Sequence, residues 1–519
     1  MFLTQPLHKG RREKARETAV VCGGRRLDFG TFTDRVARLA GVLRHLGVAR
    51  GDRVGMLSLN STRFVEYFFG TWWGGGVINP VNIRWNPKEV AYSLDDCDTR
   101  ILLVDDAFVP MVDELRKLST ALRTVVYCGD GPVPEGMVGY EAQLADTAPV
   151  DDAAHRPDEL AAIMYTGGTT GRPKGVMLTH GSLYINALSS VAAVPRASEG
   201  AAAVIAVPMF HVAGCGLSLQ SILRLVPQHV VPFFDEVAIL EAIQSARATE
   251  MFLVPTMIKR LIEHPRFREF DLSSLQMLLY GAAPIDVALL EQAMAALPAT
   301  SFAQAYGMTE LSPTVAGLMP QCHLPGPQRE RLLRSAGRPV PVAEIRIVDG
   351  DDKEVPFGQV GEIVARGPMV MQGYWNKPAE TDAALRGGWM HTGDGGYMDE
   401  QGFLYVVDRM KDMIVSGGEN VYSAEVENAI ALMPQVLMSA VIGVPDDKWG
   451  ERVHAVIVRR EGMTLDPEQV IAHCKDQIAG YKCPRTVEFR DALPLSAAGK
   501  LQKFQLREPF WAGKERRVG

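Results

Sequence analysis

The sequence predicts an α/β protein: a large N-terminal domain of parallel-type sheets with helical crossovers and a small β subdomain, followed by a small α+β C-terminal domain. Three observations predict it. Helical and extended patterns alternate over 24–110 and again over 202–297, as strands joined by crossover helices require. Short strand-like runs separated by Gly and Pro take over at about 335–410. The charged stretch Asp408-Arg-Met-Lys-Asp412 then marks a break in composition, after which helices and strands resume. The boundary is set there, giving domains over 1–410 and 411–519.

Taken in order, the periodicity gives a helix over 34–46, a strand over 53–58 introduced by Gly51-Asp52, a helix over 63–74 and a strand over 101–105. Polar 151–159, with Pro157, reads as a linker onto a buried strand over 161–165. An apolar strand over 202–207 ends in Pro208-Met-Phe-His-Val-Ala-Gly214, and a helix follows over 217–226. A helix over 237–248, strands over 251–254 and 276–280 and a helix over 287–297 repeat the alternation. Gly281-Ala282-Ala283-Pro284 falls at the carboxyl end of a strand, where open sheets bind ligands, and Pro284 is expected to open the next helix. The β subdomain is expected to hold strands over 344–348, 361–365 and 403–407. The C-terminal domain is expected to hold helices over 424–432 and 467–478 and strands over 438–442 and 454–458.

At 519 residues, with 47% hydrophobic and 22% charged residues, the chain has the size and composition of a multi-domain globular enzyme. A net charge of −7 without a long basic run argues against nucleic acid as a partner. Seven scattered cysteines without a Cys-x-x-Cys pair argue against a disulfide framework or a zinc site and predict a reducing, cytoplasmic setting. The charge-free run 201–223 is long enough to span a bilayer, but Pro208, His211, Gly214, Gly216 and Gln220 interrupt it. A strand, a turn and a buried helix explain it better.

Chemistry concentrates first in Tyr165-Thr-Gly-Gly-Thr-Thr-Gly-Arg-Pro-Lys-Gly175. Its glycines let backbone N–H groups approach an anion, its threonines add hydroxyl donors and Lys174 adds a charge, so the loop reads as a phosphate nest. A Walker-type loop needs lysine directly after glycine, whereas Arg172 and Pro173 separate Gly171 from Lys174. Ala305-Tyr-Gly-Met-Thr-Glu310 packs a flat aromatic, a hydroxyl and a carboxylate into six residues, the groups a magnesium nucleotide requires. His211 ends a strand in apolar surroundings, and Asp394 lies on a glycine-flanked turn within Trp389-Met-His-Thr-Gly-Asp-Gly395.

These motifs, with the ending Gly499-Lys500-Leu-Gln-Lys503, resemble the signatures of the adenylate-forming superfamily, specifically its acyl-CoA synthetase branch. The resemblance covers nearly the whole chain, in the family's order, and differs at Gly167, where the family usually has serine, and at Ser423, where it commonly has proline. It implies a mobile C-terminal domain and ATP, Mg²⁺ and coenzyme A as reactants. By the same resemblance Thr166, Gly167, Gly168, Thr169, Thr170, Gly171 and Lys174 hold phosphate. Gly281, Ala282 and Ala283 wall the adenine, Tyr306 stacks on it beside Gly307, and Thr309 donates to the α-phosphate. Glu310 helps to hold Mg²⁺, while Asp394 and Arg409 take the ribose. Lys500 is the catalytic lysine, Lys411 the hinge, and Gly417, Gly418 and Glu419 meet CoA.

The implied reaction is ATP-dependent activation of a carboxylic acid to an acyl adenylate, then transfer to the CoA thiol with release of AMP. His211 is placed beside the carboxylate, and His211, Val212, Gly214, Cys215, Gly281, Ala282 and Thr314 are the expected acid pocket. With no arginine among them, a monocarboxylic acid is expected, fatty acids first and arylpropenoic acids of the ferulate type second. The alternative acceptor is the thiol of a carrier protein loaded in trans. A homodimer is compatible with the sequence; an integral membrane span is not expected.

Overall fold

The computed structural model describes residues 2–166, 173–194, 196, 199–409, 412–417, 419–495 and 501–512. Of the expected site residues, Gly167, Gly168, Thr169, Thr170, Gly171, Lys411, Gly418 and Lys500 lie outside them.

Among the described residues the strands form four sheets, two of them large and mostly parallel. In the first, strands Ser301–Gly307, Met277–Gly281, Glu250–Leu253, Ala203–Ile205 and Gln228–Val230 lie side by side in parallel. Strand Thr18–Cys22 continues the parallel run, and antiparallel strands Thr314–Leu318 and Arg25–Asp28 flank it. In the second, Leu160–Thr166, Val77–Pro80, Arg53–Leu57, Ile101–Val104 and Thr124–Tyr127 are parallel. Crossover helices such as Phe29–His45 and Thr62–Gly74 pack between the sheets, and Thr62–Gly74 is buried along its whole length. Such a helix carries no polar face because it meets protein on every side.

The β subdomain is a four-stranded antiparallel sheet of Glu344–Val348, Gly361–Arg366, Met390–Met398 and Leu404–Arg409. The C-terminal domain pairs long strands Val436–Asp446 and Gly450–Arg459, adds Thr486–Phe489 in parallel, and packs helices Ser423–Ala431 and Pro467–Gln477 around its own core.

Several expectations change in detail. Strand Val77–Pro80 and helix Pro87–Asp96 were not anticipated, although Asn86 and Glu89 form a reciprocal capping box at that helix start. Lys174–Thr179 is a strand antiparallel to Leu160–Thr166, so the glycine-rich stretch joins the two arms of a hairpin. The helix expected from 217 begins at Val212, directly after His211. Gly214 and Gly216 suggested a turn there, but a Cβ on Gly214 would lie 2.4 Å from the Pro208 carbonyl oxygen, so this glycine serves close packing inside the helix. Asp394 sits within strand Met390–Met398 opposite Arg409, where a turn was expected. The helix expected over 287–297 runs Val287–Ala296, and Asp286 caps its start where Pro284 was expected to open it. The 201–223 run resolves into strand Ala203–Ile205 and helix Val212–Arg224, and no helix among the described residues is long and apolar enough to cross a membrane. All seven cysteines are free.

Candidate active site

The parallel strands of the first sheet end together, and their carboxyl ends surround a cavity of about 160 Å³. Thr309, Gly307, Tyr306, Ala282, His211, Val212 and Thr314 line it, so two stretches more than 90 residues apart in sequence meet as the resemblance required. Gly214, Cys215, Gly281 and Ala283 do not line it. Cys215 is buried in the core, and a Cβ on Gly281 would fall 2.1 Å from the Ala305 carbonyl oxygen. Gly281 is therefore small because two strands close on each other, not to leave space for a ligand.

Gly307 answers to the same constraint, since a Cβ there would lie 1.8 Å from the Pro313 carbonyl oxygen. The loop that follows is held by a residue that no local motif marks. Asn186 Nδ2 donates to the carbonyls of Leu311 (3.1 Å) and Thr314 (2.7 Å), and its Oδ1 accepts from the Thr314 N–H at 3.3 Å. These bonds hold the loop that carries Thr309 and Glu310, with Thr309 and Thr314 in the cavity wall.

Tyr306 joins the cavity to the β subdomain. Its hydroxyl donates to Asp394 Oδ2 at 2.6 Å, and Arg409 Nε meets Asp394 Oδ1 at 2.6 Å. Burial, then the neighbouring Asp394 carboxylate, raises the Tyr306 pKa well above the ordinary phenol value, so the ring remains a donor at any working pH. Burial alone would lower the Arg409 pKa, but Asp394, Tyr306 and Glu310 around it raise it overall. The three residues assigned to adenine and ribose thus form one connected unit.

A second unit gathers the phosphate-side groups. Glu310 is buried, and Tyr374 donates its hydroxyl to Glu310 Oε1 at 2.9 Å. Lys174 Nζ lies 4.9 Å from the centre of the Tyr374 ring, within cation–π range. Tyr374 reaches this place because Gly373–Tyr374 pairs with Lys174–Thr179, Tyr374 opposite Val176. No local motif marks Tyr374; only strand pairing across some 200 residues brings it to the site. Thr166 and Lys174 face each other at the mouth of the hairpin.

No cluster of three or more metal-ligating side chains exists among the described residues. A single buried carboxylate suits a magnesium ion held mainly by nucleotide phosphates, the usual arrangement for this ion. At the domain boundary, Asp408 Oδ2 accepts from the Ser423 N–H at 2.6 Å and from its hydroxyl, while Lys503 contacts Ser423 Oγ and pairs with Glu427 at 2.8 Å. Ser423 thus binds the helix start to the last strand of the β subdomain through hydrogen bonds. Gly417 and Glu419 lie at the exposed tip of a hairpin. Gly417 has φ +66°, and a Cβ there would strike the Trp449 ring at 2.6 Å.

A mostly apolar cavity along a parallel sheet, beside the connected Tyr306, Asp394 and Arg409, suits an enzyme that holds a small organic acid next to a second, polar ligand. The chain belongs to the AMP-binding enzyme family, whose profile matches residues 7–375; the AMP-binding enzyme C-terminal domain profile matches 425–500. It is 39% identical over 494 residues to a feruloyl-CoA synthase from Amycolatopsis sp, covering 95% of this chain and 96% of that one. It is 36% identical to the fatty acid–[acyl-carrier-protein] ligase ScoC of Streptomyces coeruleorubidus, covering 96% and 95%. Among solved structures it superposes with a TM-score of 0.89 on the anthranilate CoA ligase AuaEII in complex with anthranoyl-AMP, at 25% identity and covering 98% and 97% of the two chains. The protein is an AMP-forming acyl-CoA ligase, which uses ATP.

Proposed function

We propose that the ligase acts on a carboxylic acid with a compact, largely apolar body, the arylpropenoic class ahead of long fatty acids. The observation that carries this reading is the closure of the acid cavity. Helix Val212–Arg224 forms one wall, and the cavity lining follows it from His211 through Gly216 and Leu217 to Gln220. At 1.5 Å per residue that is about 13 Å, and Arg196 lines the cavity beside Gln220. Phe252, Val254, Met257 and Leu279 supply apolar walls that suit a ring.

In the first step a carboxylate oxygen attacks the α-phosphorus of ATP, the bond to pyrophosphate breaks and an acyl adenylate forms. Lys174, Thr309 and the donors of 166–171 are assigned to the charge that develops on phosphate oxygens, with Lys500 brought from the C-terminal domain. Glu310 is assigned to Mg²⁺, which when bound would neutralise phosphate charge. In the second step the CoA sulfur attacks the acyl carbon, its proton passes to solvent and AMP leaves with the bridging oxygen. Rotation about Lys411 would withdraw Lys500 and bring Gly417, Gly418 and Glu419 to the pantetheine arm.

Tyr374 provides a test of the phosphate-side unit. Tyr374→Phe keeps the ring under Lys174 and removes only the hydroxyl on Glu310, so kcat/KM for ATP is expected to fall about tenfold. The loss should shrink as Mg²⁺ is raised, measured by pyrophosphate release at a series of Mg²⁺ concentrations. A variant indistinguishable from the parent would remove Tyr374 from the site.

The substrate reading is tested with a panel of arylpropenoic and C8 to C18 fatty acids, following pyrophosphate and recovering the thioester. A ferulate-type acid with the highest kcat/KM supports it, and a C16 acid ahead of every aryl acid overturns it. Thioester formed on a phosphopantetheinyl carrier protein but not on CoA would assign the acceptor to the carrier instead.

A further inference from the structure

The inner end of the acid cavity is polar in a way its apolar walls do not explain. Arg196 lies there with its side chain 2% exposed, on the segment between helix His180–Ala193 and strand Ala203–Ile205. One guanidinium nitrogen donates to Gln220 Oε1 at 2.7 Å, and the other lies 3.5 Å from Glu250 Oε1. Glu250, 6% exposed, is contacted more closely by Arg224, whose side chain is 5% exposed. Arg196 and Gln220 both line the cavity.

Arg196 and Arg224 both meet the Glu250 carboxylate in a buried place, where a guanidinium needs oxygen partners to offset its lost hydration. Burial lowers the Arg196 pKa to about 10, against the pull of Glu250, so it remains charged near neutrality. Arg196 Nε has no hydrogen-bond partner among the described residues, and neither have two other cavity-lining groups, Ser190 Oγ and Gln304 Oε1. Arg224 already pairs with Glu250, so Arg196 is not needed to keep that carboxylate satisfied.

Glu250 opens its strand at the amino end of the sheet, while the reacting groups His211 and Thr309 lie at the carboxyl end. Phe252 and Val254 of the same chain segment line the cavity between the two levels, and four residues of extended chain span roughly 13 Å. An acid whose carboxyl group sits beside His211 and Thr309 therefore directs its far end at Arg196 and Gln220.

We infer that Arg196 and Gln220 determine specificity by receiving an oxygen acceptor at the end of the acid remote from the carboxyl being activated. The inference rests on the ligase reading of the site and narrows its substrate. A ring hydroxyl and a second carboxylate share the required chemistry: each presents an oxygen to a buried guanidinium, and a carboxylate would also balance its charge.

Two matched pairs of acids separate these sources: cinnamate against 4-hydroxycinnamate, and nonanoate against nonanedioate. Pyrophosphate release is followed with the full-length protein, ATP, Mg²⁺ and CoA. The oxygen-bearing member of at least one pair is expected to be favoured about 10- to 100-fold in kcat/KM, expressed chiefly in KM, as a hydrogen bond to a charged group implies. The pair that discriminates identifies the source of the oxygen. In Arg196→Met and Gln220→Leu that preference is expected to disappear, while turnover of the oxygen-free acid stays within about threefold of the parent. Either variant meets the requirement if the other fails to fold.

A parent enzyme that prefers the oxygen-free member of both pairs, or turns over both members of each pair alike, overturns the inference and leaves the ligase reading standing. Variants that depress both members of the favoured pair equally also overturn it, because that is the signature of a structural ion pair. Absence of pyrophosphate release with every acid overturns both readings.

Discussion

Replacing Lys500 with alanine is expected to slow pyrophosphate release by about 10²- to 10³-fold and to leave thioester formation from a supplied acyl adenylate within about threefold of the parent. Adenylation requires a carboxylate to approach a polyanion, so the donors at the phosphate determine its rate. Removing one such donor from a preorganised site costs a few kcal/mol of transition-state stabilisation, on the order of 3 kcal/mol. Thioester formation expels AMP, a good leaving group, and requires no added cation at the phosphate. The split between half-reactions distinguishes a catalytic lysine from one that supports the fold, because a destabilised enzyme loses both together. Equal losses in the two half-reactions would contradict the assignment. Single-turnover assays with ATP and with synthetic adenylate measure the two arms.

The second large effect is expected at Asp394. One of its oxygens accepts a hydrogen bond from Tyr306 and the other forms an ion pair with Arg409, each at 2.6 Å. Hydrogen bonds to charged groups are worth about 1.5–3 kcal/mol each. Asp394→Ala removes both, detaches the Tyr306 ring from its anchor and leaves the Arg409 charge without its carboxylate. The kcat/KM for ATP is expected to fall by about 10²- to 10³-fold, chiefly through KM, while the KM for the acid changes by less than about threefold. Asp394→Asn keeps an acceptor for Tyr306 and should recover part of the loss. Nucleotide and acid titrations of the same preparations measure both, and an unchanged ATP KM would show that this unit does not hold the nucleotide.

Much of this protein was legible in its sequence where chemistry and chain order coincide. Tyr306, Thr309 and Glu310 lie within five residues on one strand end, and the structure keeps them together. Strand Glu344–Val348 matches its expected bounds because alternation there is undisturbed by tertiary packing. Helix Val212–Arg224 begins earlier than expected because Gly214 answers to a close backbone approach that periodicity does not encode. Asp394 read as a turn former from its glycine neighbours, yet it pairs across a sheet with Arg409.

The residues that escaped notice share one property: their partners are remote. Asn186 holds a loop about 125 residues away, and Tyr374 reaches Glu310 across 64 residues. The expectation that no arginine meets the acid was drawn from residues adjacent to the motifs, and Arg196 enters the cavity wall from outside them. Its meaning depends on Gln220 and Glu250, which only the packed helix and strand bring to it.

The central claim, an acyl adenylate formed by attack of the acid on the α-phosphorus, is tested most directly by isotope transfer. The acid is supplied with ¹⁸O in its carboxylate, and AMP and pyrophosphate are recovered after turnover with ATP, Mg²⁺ and CoA. One labelled oxygen should appear in AMP and none in pyrophosphate or inorganic phosphate, because the bridging oxygen leaves with AMP when the thiol attacks. Label in inorganic phosphate with unlabelled nucleotide would mean activation through an acyl phosphate and would contradict the account.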